Sequence, residues 1–209
     1  MIQDELEPRE LKFGKKPALI VVSMTNGFTR ALTPFYHATD DIINANQRLL
    51  SALRLSAIPI CFTTLVITEE NQNSILPQMK PELKKFTLGS NLIQIDTRMG
   101  RLSNEPIFEK SGPSPFIDTN LSAWLILNEI DSLLISGVST SGCIRATVIG
   151  GAQHNYPMWV VKDACGDRNK KAHEANLYDI ENQYACLKTV NDIIKLISPS
   201  QSLSDSDLI

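Results

Sequence analysis

Short, continuously apolar runs, each followed by a stretch with helical spacing, recur along this sequence, and that alternation constrains the fold more than any other feature. Residues 18–22 (Ala, Leu, Ile, Val, Val) are apolar at every position. A strand half exposed to water alternates apolar and polar side chains, whereas a strand covered on both faces does not, so this run reads as a buried parallel strand. Residues 58–64, 132–138, 158–161 and 186–189 read the same way, with a further strand ending near Ile107 and Phe108. Between them, Ile42, Ile43, Leu49, Leu50, Leu53 and Leu55 recur at helical intervals over 40–56, and Asp40 and Asp41 suit the positive end of the helix dipole. Helices are also expected over 120–129, from the 139–143 turn to about 155, over 170–184 and over 190–197.

The pattern predicts an α/β chain: a three-layer αβα arrangement with a five- to six-stranded parallel sheet. It forms a single domain over residues 1–197, with 198–209, rich in Ser and Asp, as a loose tail. Residues 69–112 are long, polar and irregular, and a loop of that length is usually functional.

Twenty Lys and Arg against 23 Asp and Glu give a net charge of −3, so no excess positive charge is available to track a nucleic-acid backbone or an anionic bilayer. The apolar runs fall far short of a membrane span, and the charged first 16 residues do not resemble a signal peptide, which together predict a cytoplasmic protein. Cys61, Cys143, Cys165 and Cys186 form no CxxC pair, and His37, His154 and His173 share no ligand spacing. Four free thiols, no metal and no cofactor are the expectation.

Ligands of open parallel sheets bind beyond the carboxyl ends of the strands, where loops converge and helix N-termini present unpaired N–H groups. Three such ends carry chemistry here: Ser23 to Phe28 after the first strand, Glu109 and Lys110, and Ser139 to Cys143. A lone cysteine is usually packing. In the first turn of a helix, however, the dipole favours the thiolate, and the ammonium of Lys110 would favour it further. The Ser139-Thr140-Ser141-Gly142 run adds backbone N–H groups suited to an oxyanion.

Residues 25–29 (Thr-Asn-Gly-Phe-Thr), Lys110 with Ser114, Phe116, Thr119, Asn120 and Leu121, and the block from Ser136 to Thr147 resemble the cysteine hydrolases of the isochorismatase-like superfamily. Residues 164–168 (Ala-Cys-Gly-Asp-Arg), followed by His173, Glu174, Ala175, Asn176, Leu177, Asp179 and Ile180, resemble its N-carbamoylsarcosine amidase branch. The resemblance runs from about residue 18 to 190. It implies a six-stranded parallel sheet, assembly as a homodimer or homotetramer, and C–N hydrolysis by an Asp-Lys-Cys triad on a small amide or carbamoyl substrate. It places Cys143 on the nucleophile and Lys110 on the triad lysine. It also implies a cis peptide between Val138 and Ser139, turning the N–H groups of Ser139 and Cys143 toward the oxyanion. Arg168 falls on an arginine that holds the substrate carboxylate, and Asn26 and Phe28 fall near the pocket. The histidines that bind metal in the nicotinamidase branch have no counterpart in residues 63–73.

Two departures stand out. Ser23 occupies the position of the triad aspartate, and a serine hydroxyl can neither take the thiol proton nor return it efficiently, a loss of typically ~10²–10⁴ in rate. Gly150 and Gly151 replace an Asp-Ala pair in the helix after the nucleophile, at about 1–2 kcal/mol in helix propensity. Glu109 should face away from Cys143, because neighbours on a strand point to opposite faces, while Asp118, Asp163 and Asp167 lie near other strand ends. Two readings follow: a cysteine amidohydrolase altered by Ser23, or a pseudoenzyme keeping the fold for binding, regulation or assembly.

Overall fold

The computed structural model describes residues 10–33, 35, 36 and 40–198; the tail assigned to 198–209 lies, apart from Ser198, outside the described residues. Six parallel strands form one sheet: β1 (Pro17–Val22), β2 (Ile60–Leu65), β3 (Ile107–Lys110), β4 (Ser132–Val138), β5 (Met158–Gly166) and β6 (Cys186–Lys188). Their order is β3-β2-β1-β4-β5-β6. The helices are α1 (Asn26–Thr29), α2 (Asp40–Leu55), α3 (Ile75–Met79), α4 (Leu121–Leu127), α5 (Arg145–Gln153), α6 (Lys170–Gln183) and α7 (Val190–Ile197).

The continuous apolar runs have the cause read from the sequence. Along β1, Leu19 and Val21 pack with Leu49, Leu50 and Leu53 of α2 and Ile193 of α7. Ala18, Ile20 and Val22 face the other way, onto Leu125 of α4, Val148 of α5 and Ile180 of α6. Alternate residues thus serve the two helical layers, and every position of β1 and β4 is buried. The two central strands approach closely at their carboxyl ends. Gly137 lies opposite Val22 with φ +114°, and a Cβ there would stand 2.1 Å from the Val22 carbonyl oxygen, so only glycine fits.

Two elements differ from expectation. β5 runs on to Gly166, past the exposed Lys162 and Asp163. A bulge accounts for this: between Ile135 and Gly137 on β4, the facing strand advances from Val160 to Cys165. The 69–112 region is not merely irregular, since it forms α3, three short 3₁₀ turns and then β3. Leu83, Phe86, Ile93 and Met99 sink from it into the core.

That segment is also tied down electrostatically. The fully buried Asp96 accepts hydrogen bonds from Thr29, Arg30 and Arg98, and its N–H donates to the Met24 carbonyl, joining the segment to the loop after β1. Burial alone would raise the Asp96 carboxyl, but the bonds from Arg98 and Thr29 outweigh it and hold it at about 2.

Candidate active site

Lys110, the last residue of the edge strand β3, is 1% exposed. Its Nζ donates to the Gly112 carbonyl at 3.1 Å and lies 3.3 Å from Cys143 Sγ. Cys143 sits in a π-helical turn, Thr140–Ile144, between β4 and α5. Turns of this kind are uncommon and concentrate at functional sites. The peptide joining Val138 to Ser139, immediately before the turn, is cis. Cys143 and Ser139 share the wall of a cavity of about 130 Å³ with Phe28, Phe35, Asp167 and Arg168. A single water needs only ~10–15 Å³ of such space, so the cavity has room for a small molecule.

The cavity wall has two sources. Ser139, Ser141, Gly142, Asp167 and Arg168 come from strand ends, while Leu76, Lys80 and Leu83 come from the long segment between β2 and β3. Phe28 packs against Phe35 and Phe86 at 5.7 and 5.4 Å between centroids, and the Arg168 guanidinium lies 5.5 Å over the Phe35 ring. Arg168 is therefore steered by an aromatic face at the cavity while its charge stays exposed.

A family model described as Isochorismatase domain matches residues 17–192. The chain belongs to the isochorismatase family. It is 28% identical over 204 residues to N-carbamoylsarcosine amidase of an Arthrobacter species, covering 95% of this chain and 77% of that protein. It is also 28% identical over 194 residues to maleamate amidohydrolase of Pseudomonas putida, covering 90% of this chain and 89% of the relative. Among solved structures, a cysteine hydrolase from Pseudomonas syringae pv. phaseolicola superposes with a TM-score of 0.86 at 19% identity, over 93% of this chain and 98% of that one. The six-stranded parallel sheet is that of the isochorismatase-like fold.

Around this cavity, the residues singled out in the sequence separate into groups. Cys143, Ser139, Phe28 and Arg168 line one cavity, and Lys110 supports Cys143. Asn26 does not line it: its amide donates to the Asn91 carbonyl and side chain, and its oxygen accepts from Arg30. The side chain marked for the substrate thus ties α1 to the segment between β2 and β3.

Ser23 follows β1 directly, with φ +53°, the left-handed region in which Asn and Asp are enriched. It is fully buried, and its hydroxyl is without a hydrogen-bond partner among the described residues.

The four alternative carboxylates are also placed. Glu109 and Asp118 are exposed and border a different depression. Asp163 accepts from the Val190 N–H and so caps α7. Asp167 lies in the cavity wall, but its Oδ2 takes the Ser141 N–H at 2.8 Å and the Ser141 hydroxyl at 2.6 Å.

Gly150 and Gly151 have a packing reason. A Cβ on Gly150 would come within 3.0 Å of the Phe116 ring, and one on Gly151 within 2.4 Å of Met158 Sδ. Their expected helix-propensity cost stands against close contact of α5 with its neighbours.

The described residues contain no group of three or more His, Cys, Asp and Glu arranged to hold a metal, and no helix long and apolar enough to cross a membrane.

Proposed function

We propose that this chain is a cysteine amidohydrolase that cleaves the C–N bond of a small amide or carbamoyl compound through an acyl-enzyme on Cys143. The observation that carries the reading is the 3.3 Å contact between Lys110 Nζ and Cys143 Sγ at the wall of a small cavity. At that distance Nζ is within reach of the thiol proton. In the first step Sγ attacks the carbonyl carbon, with the thiol proton on Nζ. As the C–N bond breaks, Nζ returns that proton to the departing nitrogen, leaving an amine or ammonia and a thioester. Water then attacks the thioester, giving its proton through Nζ to Sγ, and the acid leaves. The backbone N–H groups of Ser139 and Cys143 are assigned to the developing oxyanion. Arg168 is assigned to a substrate carboxylate, a group shared by the compounds that name both amidohydrolase relatives.

Ser23 stands at the position that the resemblance gives to the triad aspartate. With a hydroxyl where a carboxylate would relay the proton, turnover is slowed by about 10²–10⁴. Ammonia release from N-carbamoyl amino acids and from monoamides of short dicarboxylic acids tests this, with wild type and Ser23→Asp side by side. The left-handed backbone at Ser23 accommodates aspartate, so Ser23→Asp is expected to turn over faster. Ammonia from neither protein, across the panel, overturns the reading.

A further inference from the structure

His173, Asn176 and Asp179, part of the sequence pattern noted above, take no part in that chemistry, yet the structure connects all three to the nucleophile turn. Spaced three residues apart on α6, they fall along one stripe of the helix. At the start of the turn, the fully buried Thr140 hydroxyl lies 2.8 Å from His173 Nδ1 and 3.1 Å from the Gly166 carbonyl. At its end, Arg145 donates to Asn176 Oδ1 at 2.8 Å and pairs with Asp179 at 3.4 Å. Cys143 sits between these two anchors.

The hydrogen bonds fix a proton. A hydroxyl has one hydrogen to give, and a carbonyl oxygen can only accept, so Thr140 donates to Gly166. Thr140 must then accept from His173, which requires hydrogen on Nδ1. In either the neutral or the protonated imidazole that satisfies the contact, His173 is a donor.

We propose that His173, Asn176 and Asp179 form a positioning stripe that holds the Cys143 turn from both ends, with His173 acting as an Nδ1–H donor to Thr140 and not as an acid or base. The inference rests on the reading of Cys143 as the nucleophile. The turn is a single π-helical one of a kind that recurs at functional sites, and its first residue and the residue after its last are each held from outside, by His173 and by Asn176 with Asp179. A shift of about 1 Å at a reacting atom can cost on the order of 10² in rate.

The test is the rate of iodoacetamide alkylation at Cys143, read by peptide mass spectrometry against Cys186 in the same molecule, for wild type, His173→Ala, His173→Asn and His173→Gln. The Asn amide nitrogen occupies the place of Nδ1, whereas the Gln amide reaches toward the place of Nε2. Ala and Gln are expected to slow Cys143 about tenfold or more relative to Cys186, and Asn to stay within about threefold of wild type. Equal rates in all four proteins overturn the stripe, and Asn as slow as Gln overturns the donor assignment. A wild-type Cys143 no faster than Cys186 overturns the nucleophile reading itself. Long-range ¹H–¹⁵N spectra of the folded wild-type protein test the donor without any variant. Hydrogen on Nδ1 of His173 is expected, and an Nε2–H tautomer contradicts it.

Discussion

Lys110 Nζ reaches Cys143 Sγ at 3.3 Å although β3 and β4, the strands that lead to them, are separated in the sheet by β2 and β1. The lysine is almost fully buried where it makes this contact. Replacing it with methionine keeps the apolar stem and removes the ammonium. Lys110→Met is expected to slow alkylation of Cys143 by about 10–100-fold with the other thiols unchanged, measured by peptide mass spectrometry.

The four thiols should separate sharply in reactivity. Burial pushes the Cys165 thiol up to about 12, and burial raises Cys61 as well, so both stay protonated and sealed at neutral pH. Cys143 and Cys186 are half-buried. Limited labelling of the native protein at pH 7 is expected to modify Cys143 first and Cys186 more slowly. Cys61 and Cys165 should react only after unfolding.

Acid should loosen the loop that follows β1. The Asp96 carboxyl is held at about 2 in the folded chain against ~3.9 when unfolded, so the unfolded state binds the proton more readily. Its contribution is fully present above about pH 5 and is lost as pH falls through 4 toward 2, on the order of 2–3 kcal/mol in all. Denaturant unfolding as a function of pH is expected to show this acid limb in wild type and a flatter one in Asp96→Asn.

Two opposing effects meet at Gly151. Alanine gains about 1 kcal/mol of helix propensity, while its methyl would meet the buried Met158 sulfur at 2.4 Å. Overpacking of that kind typically costs about 1–3 kcal/mol. Gly151→Ala is therefore expected to lower stability despite the better helix former, by about 1 kcal/mol, in equilibrium unfolding. An increase in stability would show that Met158 yields freely.

Much of the fold was legible because a sheet buried on both faces leaves an unbroken apolar signature, as in β1 and β4. β5 hid its length behind the exposed Lys162 and Asp163, which a bulge carries out of the apolar pattern. The segment between β2 and β3 was illegible for another reason. Its buried residues, such as Leu83, Phe86 and Met99, follow no period, and Asp96 is held by Thr29 and Arg30 at the end of α1 as well as by nearby Arg98.

At the candidate site, the strand-end rule and the resemblance to relatives directed attention to Cys143, Lys110 and Arg168. They gave no distances. Nor did they distinguish the carboxylates: the commitment of Asp167 to Ser141 and of Asp163 to the start of α7 follows from three-dimensional packing. Asn26 shows the same limit, since its bonds to Asn91 depend on where the long segment folds back.

In the proposed reaction Cys143 carries the acyl group during C–N hydrolysis. Quenched turnover of an N-carbamoyl amino acid, followed by intact and peptide mass spectrometry, addresses it directly. An acyl adduct confined to the peptide containing Cys143 is expected, with no ammonia release by Cys143→Ala. Ammonia released by Cys143→Ala at the wild-type rate would contradict it.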